Sequence, residues 1–573
     1  MQKVFTFKVA GPAGFGIKSV GASFAKMATR SGYYIYDYSE YPSLIRGGHN
    51  TVQCSVSTEP IYFTYQTTDF LIALDQKAID LHLTEMTPGS GILFDPGLRL
   101  VTDNVPKQVA LFAVPLMEII TQNSGTEVMR NIVATGAAVA LLGMSMPHLM
   151  KLIEEEFGTK KADIVALNQK LAQAGYDYAV EHYKDSCKQE LPQLDKVTEQ
   201  MVLTANDAVA MGAIAGGLQF AAIYPMTPTS NILHVLAPLQ EKYGFVYKQP
   251  EDEISAIGMA IGASHAGARS LVATSGGGFC LMTESFGLAG MTETPVVIIE
   301  GMRSGPATGL PTWTEQGDLK MILSAHQSDF ARIVLAAGDG QEAFNLTMMA
   351  FNLADIYQTP VVVVVDKIIC EDSQSFVPFT YKNYVVDRGK YTDSKTDNYR
   401  RYADSDDGIS LRSPVGVGNH FLANADEHDA IGYSNEDGVN RQTQMDKRMR
   451  KLLTCQANHM QPATLIGPAD APITLVSWGS NKGSILEAMK VLPEVNYLHL
   501  TWMNPFPTES VKAYLEQAKY LIDIECNYSA QMRSLIAEHT GITIADTMLR
   551  YDGRPIFPEQ IVAKVKSVLA GNH

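Results

Sequence analysis

The chain reads as an α/β protein of three α/β domains with mostly parallel sheets, and three observations predict it. The runs PVVIIEG and PVVVVVD are uniformly apolar, which is the pattern of strands covered by helices on both faces. Hydrophobic periodicity switches from 2 to 3.6, starting with the strand VFTFKVA, the turn GPAGFG and the helix IKSVGASFAKMATRSG. At ~100–200 residues per domain, a chain of 573 residues holds three or four domains.

The opening strand, glycine turn and helix lead into a second strand at YYIYDY, a β-α-β start. Further strands are expected at FLIALD, GILFD and QVALFAVP, with helices near 131–142 and 146–157. Polar residues 183–200 read as a linker closing a domain over 1–190. A second domain, 200–370, starts with the helix NDAVAMGAIAGGLQF. It continues through the strand AAIYP, a glycine- and alanine-rich helix over 253–267, and the strands SLVATS, PVVIIEG and PVVVVVD. Residues 371–460 change character and read as an irregular connector or arm, ending in the charged helix QTQMDKRMRKLLTCQ. Over 461–573 strands and helices alternate again (APITLVSWG, KGSILEAMKVL, VNYLHLTW, ESVKAYLEQA, KYLIDIEC, SAQMRSLIAEHTG), predicting a third parallel sheet.

Composition excludes several functions. Hydrophobic residues are 46% and charged residues 18%, which is globular and slightly poor in charge. Lys+Arg 45 against Asp+Glu 61 leaves −16, a sign that disfavours nucleic acid and anionic membranes as partners. The longest apolar stretch, 132–146, is interrupted and shorter than the roughly 20 residues of a membrane span. The N-terminus lacks the features of a signal peptide, so a cytoplasmic protein is expected. Six dispersed cysteines (Cys54, Cys187, Cys280, Cys370, Cys455, Cys526) match no zinc or iron–sulfur spacing, and no metal ligand set is assigned to this chain.

Several stretches are suited to chemistry. Gly11, Gly14 and Gly16 sit where a strand meets a helix, a place for a phosphate or simply for close packing. Ile17 before Lys18 breaks the Walker spacing, and G-x-x-G-x-G is not the dinucleotide fingerprint, although Asp37 lies where a ribose-binding acid would stand. YPSLIRGGHN puts Arg46 beside two glycines and His49, an anion site or a charged turn. In YPMTPTS, Pro225 and Pro228 bracket Thr227 and restrict its backbone, while Thr229 or Ser230 is placed to cap a helix. Glu251, Asp252 and Glu253 precede an apolar helix; they complement its dipole, and Glu253, next to the apolar run, is the acid expected to be buried. TSGGGFC lets backbone approach a ligand. Arg303 follows the strand PVVIIEG at its carboxyl end, where open α/β sheets bind ligands, and suits a carboxylate or a surface ion pair.

Taken in order, YPMTPTS, EDEISAIGMAIGASHAGAR, TSGGGFCLMTE and GMRSGPATGLPTWTEQGDL resemble the alpha subunit of 2-oxoacid:ferredoxin oxidoreductases, above all the 2-oxoglutarate type. GPAGFGIKSVG with YPSLIRGGHN resembles the family's gamma domain, fused ahead of the alpha portion. The resemblance spans nearly the whole chain. It implies decarboxylation of a 2-oxoacid on thiamine diphosphate, electron transfer to ferredoxin and release of a coenzyme A thioester. The middle domain then corresponds to the pyrimidine-binding domain of thiamine diphosphate enzymes. A separate beta subunit would hold the diphosphate, Mg²⁺ and a [4Fe–4S] cluster, in an (αβ)2 assembly.

By the same resemblance Glu253 is the glutamate that hydrogen-bonds the pyrimidine nitrogen and promotes its imino tautomer, with Pro225 beside the cofactor. Thr227 would hydrogen-bond the oxoacid, and Arg303 and Thr312 would bind its carboxylate. Cys280 and Met226 depart from the residues common in relatives. Pyruvate or branched-chain oxoacids are alternative substrates. An NAD-dependent oxidoreductase built on the first glycine turn and Asp37, or a non-catalytic scaffold subunit, are the rival classes.

Overall fold

A computed structural model describes residues 4–44, 47–158, 162–183 and 186–571. Two compact units emerge. One comprises the residues up to Leu203 with Asp372–Phe379 and Phe557–Ala563; the other comprises Thr204–Glu371, Thr380–Ile556 and the residues from Lys564.

The first unit holds an eight-stranded mixed sheet in the order Ala110–Ala113, Met86–Phe94, Thr68–Ala73, Phe5–Pro12, His49–Ser57, Tyr34–Glu40, Gln374–Phe376, Met201–Leu203. The first four strands run parallel. The expected β-α-β opening is modified here, because His49–Ser57 intervenes antiparallel between the first strand and Tyr34–Glu40. Helix Ile17–Arg30 packs on this sheet with Phe24 stacked on Phe7 at 3.9 Å between ring centroids. Beside it, helices Arg130–Leu141 and Ala162–Tyr183 approach closely through reciprocal glycines. A Cβ on Gly136 would lie 2.0 Å from the Ala172 carbonyl oxygen, and one on Gly175 would lie 2.2 Å from that of Val133. The apolar stretch that is too short for a bilayer thus serves a helix pair, and no described helix is long and apolar enough to cross a membrane.

The second unit carries two sheets. The larger has the order Trp502–Asn504, Ile333–Ala336, Pro360–Asp366, Val296–Met302, Ser270–Ser275, Phe220–Ala222, Val246–Lys248. All its pairs are parallel except the edge, where Trp502–Asn504 runs antiparallel to Ile333–Ala336. Val296–Met302 and Pro360–Asp366 are buried at every position, as their composition requires. The smaller sheet has the order Thr464–Ile466, Val495–Leu500, Ile473–Trp478, Tyr520–Glu525, Asp546–Leu549 and is parallel apart from its first strand.

The polar stretch after residue 380 has almost no regular structure before helix Gly438–Asn458, yet it is locked down by buried ion pairs. Asp355 receives Arg269 at 2.9 Å, Arg388 at 2.6 Å and Arg412 at 2.7 Å. Glu293 receives Lys447 and Lys451, each at 2.6 Å, and all three side chains are essentially inaccessible. The Arg401 guanidinium donates to the Glu293 carbonyl and to Gln358. The inward face of helix Gly438–Asn458 is therefore Gln444, Lys447, Arg448, Lys451 and Cys455. Burial alone would raise the Glu293 carboxyl; Lys447 and Lys451 more than reverse this and leave it well below the usual carboxylate range.

Candidate active site

The chemistry-bearing segments gather at the carboxyl ends of adjacent strands of the seven-stranded sheet. Chain leaving Phe220–Ala222 runs into Tyr224, Pro225, Met226 and Thr227. Ser270–Ser275 passes directly into helix Gly276–Met291, and Val296–Met302 ends one residue before Arg303.

Glu253 is the first residue of helix Glu253–His265 and is 3% exposed. Its neighbour Asp252 is the N-cap, accepting from the Ser255 amide at 2.7 Å, which holds the Asp252 carboxyl below its ordinary value. The three acids are therefore divided: Asp252 serves the helix, Glu251 is exposed and Glu253 turns inward. Oε1 of Glu253 is buried without a hydrogen-bond partner, an arrangement that costs free energy unless a ligand completes it. It points at the glycine turn. A Cβ on Gly278 would lie 2.7 Å from that oxygen and 2.1 Å from Thr274 Oγ1, whereas one on Gly277 would meet no atom within 4 Å. Glycine at 278 makes room for the carboxyl, and Gly277 leaves backbone open to a ligand.

The peptide between Thr227 and Pro228 is cis. Its surroundings are tied down: Asn206 Nδ2 donates to the Pro228 carbonyl at 2.8 Å and to that of Cys370 at 2.7 Å. The Thr229 hydroxyl donates back to the Met226 carbonyl and makes no side-chain cap to the helix Ser230–Leu236 that it precedes. Arg303 Nη1 donates to the Thr227 carbonyl at 2.9 Å, so the structure joins these two residues directly. Burial pulls the Arg303 guanidinium down from its ordinary value, and the field of Asp318 opposes this.

Thr312 is buried on the returning limb of the loop after Arg303, where the Ser304 amide donates to the Trp313 carbonyl and the Leu310 amide to the Ser304 carbonyl. Farther along, the Gln316 amide donates to the Cys526 carbonyl and its side chain accepts from Asn481 and donates to the Trp478 carbonyl. Pro225 is exposed beside Met226. Cys280 is exposed as well, with burial of its thiol raising its pKa, so it is a poor nucleophile.

Two residues of the site carry no role in the sequence reading. Glu300 is wholly buried in strand Val296–Met302, and Asp318 precedes the short helix Leu319–Ser324 without capping it. A charge inside the apolar run VVIIEGM was the signal for the first.

In the first unit, Gly16 has φ 75° and begins helix Ile17–Arg30, and the glycine turn borders a cavity of about 430 Å³ lined among others by Gly14, Gly16, Ser19, Asn131 and Thr135. Asp37 is not a free ribose acid, since its carboxylate accepts from the Ser373 amide. Arg46 lies outside the described residues. His49 Nε2 meets His82 Nε2 at 2.9 Å, and burial holds the His49 ring down to about 4. Among the described residues no group of three potential ligands that could hold a metal ion occurs.

Comparison with known proteins identifies the chain's relatives. Residues 211–449 match the family described as pyruvate flavodoxin/ferredoxin oxidoreductase, thiamine diphosphate-binding, and residues 6–178 match pyruvate ferredoxin/flavodoxin oxidoreductase. The chain is 31% identical to a 2-oxoacid:ferredoxin oxidoreductase subunit alpha of Saccharolobus solfataricus, over 98% of each chain. It is 32% identical to the 2-oxoglutarate synthase subunit KorA of Methanothermobacter thermautotrophicus, over 64% of this chain and 98% of that one. A solved 2-oxoglutarate:ferredoxin oxidoreductase from Magnetococcus marinus, with 2-oxoglutarate, coenzyme A and succinyl-CoA bound, superposes with a TM-score of 0.92 at 30% identity, covering 99% of this chain and 100% of that chain. With likeness over nearly its full length to such subunits, the chain belongs to the alpha subunits of the 2-oxoacid:ferredoxin oxidoreductases.

Proposed function

We propose that this alpha subunit, together with a beta subunit, interconverts 2-oxoglutarate plus coenzyme A with succinyl-CoA plus CO2, exchanging electrons with ferredoxin. The observation that carries the chemistry is the buried Glu253 oxygen with no partner, set against a glycine-lined opening. That arrangement fits the aminopyrimidine of thiamine diphosphate, whose ring nitrogen would complete the missing hydrogen bond. When bound, thiamine diphosphate supplies the electron sink for loss of CO2 from the oxoacid.

The chain's own residues have separable tasks. Glu253 holds a proton at the pyrimidine nitrogen. Pro225 and the open backbone at Gly277 border the ring. Thr227 and Thr312 orient the oxoacid, and Arg303 grips its carboxylate by a charge-assisted hydrogen bond. The diphosphate, Mg²⁺ and a [4Fe–4S] cluster belong to the beta subunit in this reading, in accord with the dispersed and mostly buried cysteines here. The gamma-like domain is 1–190, with the glycine-turn cavity as a coenzyme A contact. The pyrimidine-side domain is 200–370, the connector 371–460 and the C-terminal domain 461–573, in an (αβ)2 assembly.

The names of the KorA relatives and the ligands of the Magnetococcus structure support 2-oxoglutarate over pyruvate or branched-chain oxoacids. Coenzyme A-dependent dye reduction by the purified complex, run against a panel of 2-oxoacids, tests this. The highest kcat/KM is expected with 2-oxoglutarate; a preference for pyruvate would overturn the substrate assignment while leaving the family intact. Arg303→Ala is expected to raise KM for the oxoacid by about 10- to 100-fold, the loss of one charged hydrogen bond. Unchanged kinetics with every oxoacid would remove Arg303 from the site.

A further inference from the structure

Glu300 and Asp318 face each other, and the field of Asp318 reaches Arg303. Neither oxygen of Glu300 has a hydrogen-bond donor within reach; the group facing it is the Asp318 carboxyl. Two carboxylates cannot both stay ionised in so dry a place, so the pair keeps a proton between them. Asp318 is wedged against the glycine turn, since a Cβ on Gly276 would lie 2.4 Å from its Oδ2. It leaves its own helix uncapped to be there. Its field acts on Arg303 while the guanidinium bonds to the Thr227 carbonyl.

We propose that Asp318 is a positioning residue for Arg303: with Glu300 keeping the pair's proton, its negative charge competes with the 2-oxoacid carboxylate for the guanidinium, and neutral Asp318 releases Arg303 to bind substrate more tightly. The inference rests on Arg303 being the carboxylate anchor. Burial drives the Glu300 carboxyl well above its ordinary range, so it is the proton holder. Burial first, and then the charge of Glu315, lift Asp318 to about 6, while the hydrogen bond from Glu300 and the charge of Arg303 work the other way. The groups that bear on the pair are Arg303 and Glu315 from the loop, Cys280 from helix Gly276–Met291, which faces both acids, and Asp366 from the neighbouring strand, which acts through Glu300.

The test is the pH profile of KM for 2-oxoglutarate in the assembled enzyme. The parent's KM is expected to rise about tenfold between pH 5 and 7.5, the effect of one nearby charge, with an inflection near 6. Asp318→Asn should abolish the inflection and hold KM at the low-pH value, with a smaller effect on kcat. An inflection retained in Asp318→Asn, or a KM raised equally at all pH values, would overturn the proposal. Glu300 gives a second line should that variant fail to fold. Glu300→Gln keeps a donor and should leave the inflection in place, whereas Glu300→Leu removes it and should move the inflection up by about one pH unit; coincident profiles would refute the pairing. Arg303→Ala separates the two readings. If it leaves KM unchanged, the anchor assignment fails; if it raises KM while Asp318→Asn keeps the parent profile, only the present inference fails.

Discussion

Glu253→Gln in the assembled enzyme is expected to lower kcat by about 10²–10⁴-fold, the range in which positioned proton transfer contributes. The substitution is nearly isosteric and leaves the helix intact, because the cap is Asp252 and its bond to the Ser255 amide is untouched. Melting temperature and circular dichroism should match the parent. Glu253→Asp should also be impaired, since Oε1 reaches the space beside Gly278 only with the full side-chain length. Near-normal turnover in the Gln variant would remove Glu253 from the chemistry. A kcat loss with unchanged KM for the oxoacid would distinguish it from Arg303, whose removal acts first on KM.

Glu293→Gln should destabilise the second unit by about 3–5 kcal/mol, because it leaves Lys447 and Lys451 buried without their counter-charge. Urea unfolding of the full chain is the measurement, with an earlier transition expected. Replacing all three together, Glu293→Leu with Lys447→Met and Lys451→Met, should recover much of the loss, since apolar groups of similar volume need no partner. A Glu293→Gln variant as stable as the parent would show that water reaches these lysines.

What was legible in the sequence followed from burial of apolar side chains. Val296–Met302 and Pro360–Asp366 are apolar at nearly every position and lie adjacent and parallel in the sheet. Glu253 stood out because an acid preceded an apolar helix, and the strand-end position of Arg303 followed from the same pattern. Where burial is achieved by polar means the pattern carries nothing. The buried face of helix Gly438–Asn458 is three cations, one amide and one thiol at helical spacing, which hydrophobic periodicity reads as a solvated surface. Strand Ile333–Ala336 is four residues long, too short for its periodicity to register even though Gly338, Asp339 and Gly340 mark a turn after it, and the antiparallel insertion of His49–Ser57 depends on long-range pairing. The Glu300–Asp318 pair joins residues from a strand and a loop, so only the fold reveals it.

The antiparallel strand Trp502–Asn504 also determines how the chain can be dissected. It covers Ile333–Ala336, which would otherwise present a row of unpaired amides and carbonyls along the rim of an apolar parallel sheet. A fragment ending after the strand Pro360–Asp366 would keep Glu253, Thr227 and Arg303 but expose that rim, a template for edge-to-edge aggregation. Any minimal version of the half that holds Glu253, Thr227 and Arg303 must therefore carry Trp502–Asn504 with it, which makes that short segment a solubility element.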